Sequence, residues 1–388
     1  MLLSQKCLSA FLFVNFAVSS AVAGVFSGDP PNATHPWAVH DQNRPQPPVI
    51  VAGKNPGDPP SDAVILFDGT ESSLQNWKHA KPKDERKEDW SVDDGALLCS
   101  PGAGYLQSVE AFGDCQLHLE WSAPVEIKGS GQGRGNSGVF LMGMVEVQIL
   151  DNYENPTYVD GMAGSIYGVM PPAVNALRPP GEWQSYDIIF RRPIVREGKL
   201  LDAGSITVLC NGVLIQQVQN LEGGGGHRKR KNLNRFFPEK GPLLLQDHGN
   251  PVRFRNIWVR SLRPRALEGG LDGPLDPEVS LIKRAGIAQD IRKDAAQMSG
   301  LDRALRLYES LLYTSDAAAL KAADEIALDY LKRINQGTKD ELKSHKNMVL
   351  RLHKAFQYLA DFELLPGSHF ALPVLESIMA EQGWGKKK

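Results

Sequence analysis

The rhythm of apolar and polar positions changes once along the chain, near Pro274. Before that point apolar residues come in short runs, among them AVILF, CQLHLEWSA, SGVFLMGMVEVQIL, WQSYDIIF, SITVLCNGVLIQQV and VRFRNIWVR. Several alternate apolar with polar, the period of a strand with one buried face. Turn signals separate them, including Asp68-Gly69, Asp94-Gly95 and Asn211-Gly212. Asn-Gly supplies the two positive-φ positions of a tight turn, so ITVLCNGVLIQQV predicts a hairpin. Many short strands with regular turns predict a mainly β domain, a sandwich or jelly roll, over residues 61–263.

After Pro274 the spacing becomes helical. LDRALRLYESLL, DAAALKAADEIALDYLKRI and DELKSHKNMVLRLHKAFQYLADF place apolar residues three and four apart. Thr338 and Glu341 have the spacing of a capping box, and Met348, Val349, Leu352, Phe356 and Leu359 form an apolar stripe behind it. Residues 275–388 therefore predict a smaller C-terminal α-helical domain of four or five helices. It shows no catalytic constellation, and its protein partner is left unassigned.

Two flanking segments complete the organisation. Residues 24–60 are rich in Pro, Gly, Asn and Asp, which predicts a linker or an arm lying on the surface. Residues 1–23 predict an export signal: Lys6, an apolar run from Leu8 to Val18, then Ala21-Val22-Ala23 as a cleavage site. That run is too short to span a bilayer and no later stretch is longer, so the expectation is a secreted or periplasmic protein without a membrane span.

Composition changes this picture little. A chain of 388 residues has room for two domains, and 37 Gly with 26 Pro suit turns and short strands. A net charge of -2 gives no reason to expect a nucleic-acid partner. Cys99, Cys115 and Cys210 each lie in an apolar run and read as buried thiols, with a Cys99–Cys115 bridge as the alternative.

Candidate chemistry comes from polar residues at strand positions. Alternation sends Val145, Val147 and Ile149 one way and Glu146, Gln148 and Leu150 the other. A carboxylate and an amide on such a face are costly if buried without partners, so they mark either a solvated sheet or a polar pocket. In LLLQDHGNPVRFRNIWVR, Leu243 and Leu245 oppose Gln246 and His248, and Val252 and Phe254 oppose Arg253 and Arg255. Read as a hairpin, the segment presents Gln246, His248, Arg253 and Arg255 on one face. Histidine, with an ordinary pKa of about 6.5, serves as acid, base or metal ligand, and arginine fixes oxyanions. GMAGSIYG carries Tyr167, and aromatic faces stack on sugar rings; Trp183 and Tyr186 read as core aromatics. GGGGHRKRKN reads as a flexible basic surface loop.

In order along the chain stand LFDGT, VDDGALLC, FGDCQLHLEW, NSGVFLMG, VEVQILD, GSIYG, PPGEWQSYDIIF, the Asn211-Gly212 hairpin and LQDHGNPVRFRNIWVR. Over residues 63–262 this resembles the 3-keto-disaccharide hydrolase domain family. The resemblance implies a concanavalin A-like jelly-roll sandwich that acts on an oligosaccharide or glycoside oxidised at C3. It implies Glu146 and His248 as the catalytic pair. Asn136, Gln148, Tyr167, Gln246, Arg253 and Arg255 would bind substrate. A divalent metal, if used, would be held by Glu146, His248 and Asp151. Asp247 and Asn136 could instead serve local turns. The alternative function is a non-catalytic, lectin-like carbohydrate-binding module on the same sandwich.

Overall fold

Alternation along the first two-thirds of the chain builds two large antiparallel sheets and two two-stranded ones. In this computed structural model, residues 26–232, 234–270, 274–365 and 369–384 are described. The expected export signal at residues 1–23 and the basic tail Lys386–Lys388 lie outside them. The strands are β1 (Val64–Phe67), β2 (Trp77–His79), β3 (Ser91–Asp93), β4 (Ala96–Leu98), β5 (Leu106–Phe112), β6 (Cys115–Ser122), β7 (Ser137–Leu141) and β8 (Val145–Ile149). They continue as β9 (Gln184–Arg191), β10 (Ile194–Arg196), β11 (Lys199–Asp202), β12 (Ser205–Cys210), β13 (Val213–Gln219), β14 (Gly225–Gly226), β15 (Lys229–Arg230), β16 (Gly241–Leu245) and β17 (Arg253–Ser261). One large sheet has the order β13-β12-β9-β6-β17-β4-β3, with β1 also paired to β17; the other large sheet has β2-β5-β16-β7-β8. The predicted Asn211-Gly212 hairpin is β12–β13, with both turn residues at positive φ.

The core lies between these sheets. From β6 it takes Cys115, Leu117, Leu119 and Trp121, from β9 Tyr186, Ile188 and Phe190, and from β8 Val145, Val147 and Ile149. Each fully buried aromatic contributes on the order of 2–3 kcal/mol by leaving water. Cys99, Cys115 and Cys210 are free buried thiols.

On the outer face of the larger sheet, His118 is only 2% exposed. Residue Gly57 packs over it, and the Gly57 carbonyl accepts from Asn256 Nδ2 (3.0 Å) and Trp258 Nε1 (2.8 Å). His118 Nδ1 lies 2.7 Å from Asp187 Oδ1. Burial alone would lower its pKa, but Asp187 and Glu120 outweigh it and hold the imidazolium up to about 9.

The described residues form two compact units: Pro48–Pro264, and residues 26–47 together with those from Arg265 on. The proline-rich segment 24–60 is thus split. Its first part belongs with the helices: Phe26 meets Tyr358 edge-on at 6.0 Å, and Asn43 Nδ2 donates to Glu309 Oε1 at 2.6 Å. Its second part belongs with the sheets.

Among the described residues the helical unit has six helices rather than four or five: α1 (Pro277–Ala295), α2 (Gly300–Ser310), α3 (Ala317–Asn335), α4 (Lys339–Ser344), α5 (Lys346–Asp361) and α6 (Ala371–Glu381). The Thr338–Glu341 capping box is present at the start of α4. Two local effects raise the number. His345, at φ -91° and ψ 0°, separates α4 from α5 within one continuous apolar stripe. Pro373 lies in the first turn of α6, where no backbone N–H is needed, so it does not break the helix.

Candidate active site

The side chains of β8 that point away from the core form one wall of a cavity of about 480 Å³ on the outer face of the smaller sheet. Glu146 and Gln148 come from β8, Phe140 from β7, Asn136 from the residue before β7, and Gln246 and His248 from just after β16. Tyr167 lines it from the GMAGSIYG loop, and Tyr105 from the residue before β5. Glu146 and His248 therefore border the same cavity.

The stretch Asn136-Ser137-Gly138 makes room for the carboxyl. Gly138 pairs with Gln148 across the ladder, and a Cβ added there would collide with Glu146 Oε1. Ser137 Oγ donates to the Gln246 carbonyl at 2.6 Å, and the Gln246 N–H donates to the Gly138 carbonyl at 2.9 Å, which ties β7 to the segment carrying Gln246. Asn136 is 3% exposed and its Nδ2 donates to the Gln132 carbonyl at 2.7 Å, so it braces the loop and lines the cavity at once.

Glu146 has an unusual environment for a carboxyl. Burial pushes its pKa up to about 8. With its amide nitrogen turned toward acceptors, Gln148 reaches Glu146 Oε1 and the Ser137 carbonyl, both at 3.2 Å. Gln246 Nε2 donates to the Tyr105 hydroxyl at 2.7 Å, while its Oε1 is buried without a partner. The Tyr167 hydroxyl is 2.8 Å from that of Tyr158. His248 is exposed at the rim, where it also borders a second depression with Asp151.

Several parts of the sequence reading are corrected. LLLQDHGNPVRFRNIWVR is not a hairpin. β16 pairs with β5 and β7 in one sheet, while β17 pairs with β6, β4 and β1 in the other. Residues 246–252 cross between the sheets. The polar faces of the two strands consequently point to opposite sides of the sandwich. Arg253 and Arg255 lie outside the cavity: Arg255 Nε donates to Glu120 Oε2 at 2.6 Å, and its guanidinium sits 4.1 Å over the Trp183 ring, with that of Arg253 at 5.5 Å. Trp183 is thus a surface platform for arginine rather than a core ring, whereas Tyr186 is fully buried as expected.

Asp151 is the second correction. It is 3% exposed and held by Arg134, whose Nε and Nη2 reach its two oxygens at 2.6 and 3.1 Å. A carboxylate so engaged is a structural anchor. Among the described residues no group of three His, Cys, Asp or Glu stands close enough to hold a metal ion. The expected donor set Glu146, His248 and Asp151 does not assemble, so the residues do not fit a resident metal. Asp247 serves the turns: its Oδ2 accepts from the N–H groups of Gly102 and Gly104, both at 2.9 Å, and its Oδ1 from Gly249 at 2.8 Å.

The loop read as a flexible basic surface instead supplies cavity residues. His227 and Lys231 of this loop line it, with Arg235 from just beyond the loop. Arg235 Nη1 is buried without a hydrogen-bond partner, and the guanidinium lies 5.6 Å from the Phe237 ring centre. The glycine run fixes this placement: a Cβ on Gly225 would collide with the Tyr167 carbonyl. The sequence signal was present, since a glycine cluster marks close backbone approach as readily as mobility.

Residues 62–260 match the family described as the 3-keto-alpha-glucoside-1,2-lyase-like domain. A 3-keto-disaccharide hydrolase of Bacteroides thetaiotaomicron is 24% identical over 250 positions, covering 51% of this chain and 78% of the relative. A crystal structure from Parabacteroides distasonis, provisionally described as a glycosyl hydrolase, is 41% identical with a TM-score of 0.52. The match covers 56% of this chain and 93% of that one.

Proposed function

The chain belongs to the 3-keto-alpha-glucoside-1,2-lyase-like domain family, and from that premise we propose that its cavity cleaves glycosides whose sugar carries a ketone at C3. The ketone acidifies the proton on C2. Glu146, in its ionised form, takes that proton, and the electron pair passes into the C2–C3 enolate. The enolate then expels the oxygen on C1, which leaves as the alcohol after protonation from His248 at the rim. Water added across the resulting C1–C2 double bond completes a net hydrolysis, giving the 3-keto sugar and the free alcohol.

The rest of the cavity suits these demands. Arg235 and Lys231 bring positive charge to a cavity where oxyanion character develops. Gln246, Gln148 and Tyr105 offer amide and hydroxyl groups to sugar oxygens. The observation that carries the reading is the Glu146 carboxyl, held near pKa 8 by burial alone in a cavity it shares with His248. A base poised near neutrality is what proton abstraction beside a ketone needs, and a mere binding module has no use for it.

The test is to offer a 3-keto-glucoside and its unoxidised parent to the purified protein. Only the oxidised sugar should be cleaved. Glu146→Gln should lower kcat/KM by roughly a thousandfold and His248→Ala by roughly a hundredfold. Equal cleavage of the parent, or full activity in Glu146→Gln, would refute the proposal.

A further inference from the structure

Beside the first cavity lies a second one of about 400 Å³. The two share Tyr158, Tyr167, Gly226 and His227 as a common wall. The remaining lining of the second is strongly positive. Arg228, Lys229 and Arg230 face it, against the single carboxylate of Asp160. None of these three cations has an ion pair or side-chain hydrogen bond among the described residues.

The geometry holds that charge in place. Lys229 and Arg230 form β15, paired with the glycines of β14, and Arg228 turns the hairpin at φ 55°. The hairpin is seated on the cavity wall through Gly225 and Gly226, which abut Tyr167 and Gly168 with no space for a side chain at Gly225. All three side chains are exposed, and the glycine seating sets them at the edge of one concavity beside the cavity of Glu146 and His248.

We infer that this second cavity is the subsite for the group released from C1, and that it selects leaving groups bearing an oxyanion: a carboxylate, sulfate or phosphate ester. The inference rests on the proposed reaction for the assignment of the first cavity. It deepens that reading by naming the substrate class, a 3-keto-glycoside with an acidic aglycone or acidic second sugar. Arginine and lysine suit such groups through charge-assisted hydrogen bonds, stronger than neutral ones.

The experiment compares the 3-keto forms of phenyl, 4-carboxyphenyl and 4-sulfophenyl glucoside, in low and high salt. The anionic substrates should have kcat/KM roughly tenfold higher at low salt, and the preference should shrink as salt screens it. In Arg228→Gln/Lys229→Gln/Arg230→Gln the ratio of anionic to neutral kcat/KM should fall to about one. A wild-type ratio near one, or a ratio indifferent to salt, would overturn the subsite whether or not the triple variant folds. Calorimetric binding of the three unoxidised glucosides makes the same comparison without turnover. Tighter binding of the anionic pair, with no cleavage of any 3-keto form, would keep the subsite and discard the reaction. Indistinguishable binding, including none for any of the three, together with no cleavage would overturn both.

Discussion

At Glu146, burial and function act through the same proton. The fold prefers the neutral acid, since its pKa lies near 8 against an ordinary 4.5. Stability from this preference is complete below about 4.5 and is lost as pH rises through about 8. Glutamine at this position mimics the neutral acid at every pH. Melting temperatures of the native chain and Glu146→Gln should therefore diverge between about pH 5 and about pH 9, the native chain losing ground as the carboxyl ionises. The proposed reaction needs Glu146 ionised together with a proton donor for the leaving oxygen, so kcat/KM should pass through a maximum as pH rises, and the Glu146 carboxyl should contribute a limb near 8. A flat profile with parallel melting curves would place the Glu146 carboxyl in water with an ordinary pKa. Residue identity at this scale was legible in the sequence: an isolated carboxylate alternating with Val145, Val147 and Ile149 is costly without a purpose. The size of its shift was not, because desolvation depends on what roofs the strand.

At the scale of elements, β16 and β17 show why an alternating pattern supports two geometries. Leu243, Leu245 and Phe254 all face the core, as their spacing requires. Alternation distinguishes core from exterior, yet in a sandwich the exterior of one sheet faces away from that of the other. Which sheet each strand joins is decided by its ladder partners, which lie far away in sequence. Gln246 and Arg255 are therefore parted despite their matching polarity. Gln246→Ala should lower kcat/KM about tenfold or more by removing a cavity amide and orphaning the Tyr105 hydroxyl. Arg255→Ala should leave kcat/KM within about twofold, and its partly exposed bridge to Glu120 with the Trp183 contact should cost only about 1 kcal/mol of stability. Steady-state kinetics and denaturant titration of the two variants separate these roles; the opposite pattern would return Arg255 to the site. The β14–β15 hairpin shows the converse error. GGGGHRKRKN has the composition of a mobile loop, but contact with Tyr167 and Gly168 decides that it is a wall.

For the whole molecule, every residue lining the two cavities lies within the unit Pro48–Pro264, which has its own sandwich core. The helical unit has a separate core that includes Phe26 of the N-terminal segment. Expressed alone, residues 48–264 should fold with a near-ultraviolet signal from buried Trp121 and Tyr186, and should keep the selectivity for 3-keto substrates. Loss of activity in a folded fragment would give the helical unit a part in catalysis.

The sequence by itself determined where strands give way to helices, which strand faces enter the core, the Asn211-Gly212 hairpin, the α4 cap and the prominence of Glu146 and His248. These follow from periodicity and turn chemistry, which act over a few residues. Tertiary structure alone decided that Arg253 and Arg255 leave the cavity, that Arg134 occupies Asp151, and that His227, Lys231 and Arg235 enter. Those outcomes depend on pairing between strands and loops distant in the chain, and on the buried environment they create. Local pattern carries neither kind of information.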